Sequence, residues 1–187
     1  AKGLVFTKVW KREDPRDVLI LRTAKHLSEL REDAVIATGS KRRAFQLLKL
    51  RSDLQIINIR GNVDTRLRKM EEQQLDGIVL AAAGLKRLGM EDVITQYLAP
   101  EDMISAPAQG ALALEVREDQ KELQKMLDVF CDEETMNEVC AERNFLEQMG
   151  GSCHTPAGAR CQKTDQGYEL YACLLYTSPS PRDMRRS

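Results

Sequence analysis

The sequence predicts an α/β fold whose main lobe is a doubly wound, largely parallel sheet. Apolar, β-branched runs at 34–38, 54–59 and 77–82 alternate with segments of helical spacing at 41–50 and 64–74. Such alternation is typical of parallel strands joined by right-handed helical crossovers. Each run also ends in a short turn that leads into a helix start. A hydrophobic content of 42% over 187 residues suffices for one domain or two small ones.

The other elements follow from periodicity and turn residues. In chain order, the sequence predicts strands at 5–10 and 18–21, helices at 23–30, 84–88 and 91–98, a strand at 111–116, helices at 119–130 and 132–149, and a small α/β element from 150.

Charge and composition exclude several classes of function. Residues 38–70 carry nine Lys/Arg against two acids, whereas residues 115–147 carry four against eleven. This asymmetry favours one anion-binding lobe over a uniformly basic nucleic-acid binder. No window reaches the roughly 18 to 20 apolar residues that a membrane span needs. Five cysteines without framework spacing indicate a reducing cytosol, and Cys131, Cys140 and Cys173 fall on predicted core-facing positions.

Arginines cluster where the predicted strands end, namely Arg42, Arg43, Arg60, Arg66 and Arg87. Helix N-termini favour anions, and guanidinium binds carboxylate or phosphate through paired hydrogen bonds. We therefore predict a polycarboxylate site at one sheet edge. The alternatives are a solvated basic face or a nucleic-acid patch, although Phe45 is the only aromatic residue of this stretch that could stack on a base.

Two further segments are candidates for chemistry. Cys153, with His154 beside it, follows two glycines on a predicted loop, as a nucleophile or covalent attachment point would. The alternative is an incidental loop cysteine, and irregular spacing disfavours a zinc site. The turn at Gln109-Gly110 has three interpretations. Its glycine could let the backbone approach a ligand, the turn could be a hinge between lobes, or it could be an ordinary turn.

These segments together resemble the porphobilinogen deaminase (hydroxymethylbilane synthase) family. The matching motifs occur in family order at 11–17, 38–43, 59–67, 83–89, 107–112 and 151–156. The resemblance implies a cytoplasmic, monomeric transferase of tetrapyrrole (heme) biosynthesis that binds neither nucleic acid nor membrane. Such an enzyme condenses four molecules of porphobilinogen head to tail with ammonia release. Its fold would be periplasmic-binding-protein-like lobes plus a small C-terminal α/β domain, here truncated.

The resemblance also implies roles for the candidate residues. A dipyrromethane cofactor would be held covalently through Cys153. The other residues implied to bind the cofactor are Arg42, Arg43, Ser40, Thr38 and Gly61, and those implied to bind substrate are Arg60, Arg66, Arg87 and Gln109. No metal is implied. The family's catalytic aspartate has no counterpart here, so we expect that this chain alone consumes no porphobilinogen.

The expected domain division follows the same resemblance. Residues 1–15 would be the remainder of a first lobe, 16–105 the second lobe, 106–130 a return segment to the first lobe and 131–173 a partial cofactor-anchoring domain. Residues 174–187 look like a non-native tail. Gly39, Lys41 and Ser152 depart from the family pattern. The alternative function is a non-catalytic small-anion-binding module of the periplasmic-binding type.

Overall fold

The computed structural model describes residues 3–150 and 157–174. Its helices and strands, in chain order, are β1 Leu4–Phe6, β2 Asp17–Leu21, β3 Val35–Ala37, α1 Lys41–Leu50, β4 Gln55–Ile57, α2 Val63–Glu72, β5 Gly77–Ala81, α3 Ala82–Arg87, β6 Gln96–Tyr97, β7 Glu115–Arg117, α4 Lys121–Asp128, α5 Glu133–Gln148, β8 Ala157–Thr164 and β9 Gly167–Leu174. The predicted α/β class is confirmed.

A five-stranded sheet in the order β4-β3-β5-β2-β6 forms the centre. Strand β3 pairs in parallel with β4 and β5, as the alternation predicts, whereas β2 runs antiparallel to both β5 and β6. The carboxyl ends of β3, β4 and β5 therefore meet at one edge of the sheet.

Helices cover both faces of this sheet, because its strands are apolar on both sides. Leu19 of β2 packs in one cluster with Leu47 of α1. The next residue, Ile20, points to the opposite face and packs with Met70 of α2 and Leu85 of α3. Successive side chains of a strand alternate between faces, so both layers are anchored on the same strands. The sheet is doubly wound.

A second part of the molecule packs beside the sheet. Strands β1 and β7 form an antiparallel pair, and β8 and β9 form a hairpin that packs on α5. Two stretches join this part to the sheet, residues 11–16 and residues 106–110, which we call the crossing segments. They run side by side, with the Glu13 N–H donating to the Gly110 carbonyl at 3.1 Å.

Four predicted elements differ in the structure. The helix at 91–98 is a single 3-10 turn, Glu91–Val93, followed by β6. Its backbone donors are used by the sheet, since the Thr95 N–H donates to the Leu19 carbonyl at 3.0 Å. The helix at 23–30 likewise shrinks to the turn Leu27–Glu29. The strands at 5–10 and 111–116 shorten to the β1–β7 pair.

The predicted burial of the cysteines is wrong for Cys140, which is exposed on α5, while Cys131 and Cys173 are half-buried. Among the cysteines of residues 3–150 and 157–174, Cys161 is the fully buried one. Within residues 3–150 and 157–174, no helix combines the length and apolar composition that crossing a bilayer requires.

Candidate functional site

The candidate site lies at the edge where β3, β4 and β5 end. Helix α1 begins after Ser40, whose hydroxyl accepts the Arg43 N–H at 3.4 Å. Helix α2 begins after Asn62, whose side chain accepts the Thr65 N–H at 2.9 Å. These caps fix the first turn of each helix and hold the arginines near the sheet edge.

A fully buried carboxylate, Asp17, organises this edge. Its Oδ2 accepts Nη2 of Arg42 at 2.7 Å, and its Oδ1 accepts Nη2 and Nε of Arg43 at 2.7 and 3.0 Å. Nε2 of Gln109 donates to the same Oδ1 at 2.9 Å. Asp17 is not among the site residues that the sequence predicts. The one available signal was an acid placed directly before the apolar run 18–21.

The charges of this group do not balance. Burial on its own would raise the pKa of Asp17, but Arg43 and Arg42 outweigh burial and hold that pKa below its ordinary value. Two guanidiniums therefore share one ionised carboxylate, which leaves one unit of positive charge. Asp17 is the one acid that the described residues pair with either guanidinium. An excess charge in a poorly solvated place favours an anionic ligand.

Arg42 and Arg43 occupy different depths. Only 6% of the Arg42 side chain is exposed, and its Nη1 donates to the Ile104 carbonyl at 2.5 Å. Burial lowers the pKa of Arg42, and Asp17 opposes that shift. The Arg43 side chain is 12% exposed and stands nearer to the surface. The structure thus brings the two predicted arginines together on Asp17, with Arg42 more deeply buried than Arg43.

The Asp17 carboxylate should make the fold sensitive to acid. Because the pKa of Asp17 is depressed on folding, its stabilising contribution is present above the unfolded pKa of about 3.9 and is lost as pH falls through the folded value. We expect the difference in unfolding free energy between the wild type and Asp17→Asn to shrink as the pH is lowered from 7 toward about 2. Urea titrations at several pH values measure it, and a difference independent of pH would contradict this account.

The three outer arginines lie on more open surface. Arg60 is exposed in the turn between β4 and α2. Arg66 donates through Nε to the Gly61 carbonyl at 2.7 Å. Arg87 is the last residue of α3 rather than a junction residue, and its Nη2 donates to the Gly110 carbonyl at 2.6 Å. Both partners are neutral carbonyls, which a carboxylate ligand could replace with a stronger, charge-assisted bond.

The predicted hydroxyl residues are engaged with backbone. Thr38 is buried, and its Oγ1 accepts the Ser40 N–H at 3.2 Å. Between them lies Gly39, where an added Cβ would stand 2.8 Å from the Ile59 carbonyl oxygen. The ends of β3 and β4 approach each other closely here, which gives a structural reason for glycine at this departure from the family pattern.

The turn at Gln109-Gly110 makes a close backbone contact. Gly110 has a φ of +86°, and a Cβ there would lie 2.3 Å from the Glu13 carbonyl oxygen. Gln109 donates to the Pro15 carbonyl at 2.7 Å as well as to Asp17. The close approach seen here is to the other crossing segment rather than to a ligand, and the absence of a Cβ at Gly110 allows the two segments to lie against each other.

Gly110→Ala should destabilise the fold by about 1 to 3 kcal/mol through backbone strain, with the steric contact adding to that loss. Gly89→Ala is the matched control, because Gly89 has a φ of +67° with no atom within 4 Å of an added Cβ. Urea unfolding of both variants measures the difference. Equal losses would show that the contact between the crossing segments adds nothing.

A second buried carboxylate, Glu142 of α5, lies behind the crossing segments. Its Oε1 accepts Nη2 of Arg12 and the Cys161 N–H, both at 2.8 Å. Its Oε2 accepts Nη1 of Arg12 at 3.1 Å and the Ala108 N–H at 2.6 Å. One carboxylate thus joins both crossing segments to α5 and β8. Sequence patterns did not indicate this role, since its four donors come from three distant segments.

Cys153 and His154 lie outside the described residues, as do Gly151 and Ser152. In the sequence they fall between the end of α5 at Gln148 and the start of β8 at Ala157. Within the described residues, no three side chains of His, Cys, Asp or Glu come together as metal ligands.

Residues 1–125 match a family model described as porphobilinogen deaminase, dipyromethane cofactor binding domain. A porphobilinogen deaminase of Lachnospira eligens is 56% identical over 178 residues, which cover 94% of this chain and 60% of that protein. Those of Clostridioides difficile and Bacillus subtilis are each 51% identical, covering 87% and 83% of this chain and 54% and 50% of the relatives.

The chain therefore spans about half to three-fifths of the length of these relatives. A solved structure, the periplasmic VFT2 domain of Bordetella pertussis BvgS, covers 67% of this chain and 53% of its own at 18% identity, with a TM-score of 0.40.

Proposed function

The chain belongs to the porphobilinogen deaminase family, and from this premise we propose that it is part of a hydroxymethylbilane synthase. That transferase joins four molecules of porphobilinogen head to tail and releases ammonia at each step. The observation that carries the proposal is the unbalanced positive charge of Arg42, Arg43 and Asp17 at the carboxyl edge of the sheet. Porphobilinogen and its oligomers are polycarboxylates, and this edge offers them guanidinium groups.

The same residues fit a dipyrromethane cofactor. The cofactor's carboxylates require cations in a poorly solvated place, and the excess charge beside Asp17 meets that requirement. Arg43, the more exposed of the two arginines, would bind one carboxylate, and Cys153 would anchor the cofactor through a thioether. When bound, the cofactor supplies the free α-carbon onto which substrate units are joined.

The outer arginines would orient the incoming substrate. Arg60 lies in the turn before α2, Arg66 lies near the start of α2, and Arg87 ends α3. Gln109 connects the crossing segment to Asp17. Holding two pyrroles at a fixed separation converts a bimolecular step into a nearly intramolecular one. Exchange of the Gly61 and Gly110 carbonyls for substrate carboxylates would strengthen the bonds of Arg66 and Arg87.

Intact mass under denaturing conditions tests this function. The complete protein that contains this chain should carry a mass excess equal to two linked pyrroles, and Cys153→Ser should lose it. Cys140→Ser, at an exposed cysteine of α5, is the matched control and should keep the excess. A bare polypeptide mass in all three would favour the non-catalytic anion-binding module.

We further propose that the protein works in the cytoplasm as a monomer, and that its partner is a small molecule rather than nucleic acid or membrane. The charge distribution supports this choice, because residues 115–147 carry a net charge of −7 and the chain is therefore not uniformly basic, as a nucleic-acid binder would be. An oligonucleotide titration at physiological salt should show no binding.

A further inference from the structure

Asp17 has contacts that go beyond neutralising an arginine. It is fully buried, and its two oxygens accept four hydrogen bonds from three side chains. Those side chains come from α1 and from a crossing segment, while Asp17 itself begins β2. Its carboxylate therefore connects three parts of the molecule: the arginines of α1, strand β2 and the crossing segment 106–110.

We propose that Asp17 is the positioning residue of the anion site, fixing the orientation in which Arg43 meets a carboxylate ligand. The inference rests on the proposed function, because it concerns the same site. Asp17 touches no ligand in this account and acts through Arg43.

The geometry of the Arg43 guanidinium carries the proposal. Its Nε and Nη2 both point at Oδ1 of Asp17, at 3.0 and 2.7 Å, so one edge of the planar group is held. Its Nη1 lies 3.5 Å from the Val79 carbonyl, which is a long contact. Paired recognition of a carboxylate depends on the direction of the guanidinium plane. Asp17 thus sets which nitrogens remain for the ligand.

Gln109 extends this control to the crossing segment. Its Nε2 bridges the Pro15 carbonyl and Asp17, and its Oε1 lies 3.4 Å from Nη2 of Arg42. A displacement of residues 106–110 would therefore alter the hydrogen bonds of the carboxylate that holds Arg43.

A simple charge argument predicts the opposite outcome when Asp17 is neutralised. Asp17→Asn raises the positive charge of the group from one unit to two, so attraction of anions by charge alone would increase. Loss of orientation would instead weaken binding despite the added charge. The two explanations therefore predict opposite changes in the affinity for an anion, and the variant distinguishes between them.

The experiment is calorimetric titration of this chain with pyromellitate, a rigid tetracarboxylate, at neutral pH. We expect Asp17→Asn to bind about tenfold more weakly than the wild type, the scale of one charged hydrogen bond. The matched control is Asp76→Asn, which removes a buried carboxylate paired with Arg31 at the opposite edge of the same sheet. The control should lose stability and keep its affinity within about twofold.

A charge-matched double variant covers the case in which Asp17→Asn does not fold. Asp17→Asn/Arg42→Met leaves one unit of positive charge, as in the wild type, and removes the more deeply buried of the two guanidiniums that have lost their carboxylate. We expect it to bind about tenfold more weakly as well. Affinity equal to or higher than that of the wild type in either Asp17 variant overturns the inference and leaves the proposed function intact. Absence of pyromellitate binding by the wild type overturns the anion site itself.

Discussion

Glu142→Gln should lower the free energy of unfolding by about 3 to 5 kcal/mol, the scale expected when one partner of a buried ion pair is removed. Glu142 is fully buried, and its two oxygens accept hydrogen bonds from Arg12, Ala108 and Cys161. An amide of the same shape keeps one acceptor oxygen, but its NH₂ group faces donors. The guanidiniums of Arg12 and Arg160 would then share one carboxylate, Glu138, instead of two.

Urea unfolding followed by circular dichroism measures this loss. Glu134→Gln is the matched control, because Glu134 lies on the same helix, is 53% exposed and pairs with Lys163 at 3.3 Å. We expect the control to lose less than about 1 kcal/mol, as exposed pairs do. A similar small loss for Glu142→Gln would show that the crossing segments are held by other contacts.

Arg43→Met should weaken pyromellitate binding by about ten- to a hundredfold, because one paired, charged contact is worth about 1.5 to 3 kcal/mol. The change leaves Arg42 and Asp17 as a neutral pair, so the excess positive charge of the site disappears. Substitution by methionine keeps the apolar stem of the side chain, which limits the effect on packing.

The control for this prediction is Arg31→Met. Arg31 also lies close to a buried aspartate, with Nη2 at 2.8 Å from Asp76, but at the amino end of the parallel strands. Both variants lower the net charge of the chain by one, so equal losses of affinity would mean that overall charge attracts the ligand. A loss confined to Arg43→Met would locate binding at the carboxyl edge.

Much of the architecture could be read from the sequence because it depends on local patterns. Strands β3, β4 and β5 and helices α1 and α2 fall within a few residues of the predicted ranges. Periodicity fails where tertiary pairing takes over. The predicted helix at 91–98 contains β6 instead, because Thr95 and Leu98 donate to the backbone of β2. Sheet hydrogen bonds there outweigh local helical preference.

The site residues also separate into those that local sequence patterns predict and those that they do not. The arginines were visible because they follow strand ends, and the motifs at 38–43 and 59–67 led to the family. The roles of Asp17 and Glu142 are not predictable in this way, because Asp17 lies 25 residues from Arg42 and Glu142 lies 130 residues from Arg12. No local sequence spacing predicts an ion pair between residues so far apart in the chain.

The sequence by itself determined the class of fold, the family and the supply of guanidinium groups, since residue types and local periodicity decide these. The tertiary structure alone decided which arginine is buried, that Asp17 leaves one positive charge in excess, and that Glu142 joins both crossing segments to α5 and β8. The physical reason is that solvation and charge balance depend on what surrounds a group in space. Those surroundings are assembled only when distant segments pack together.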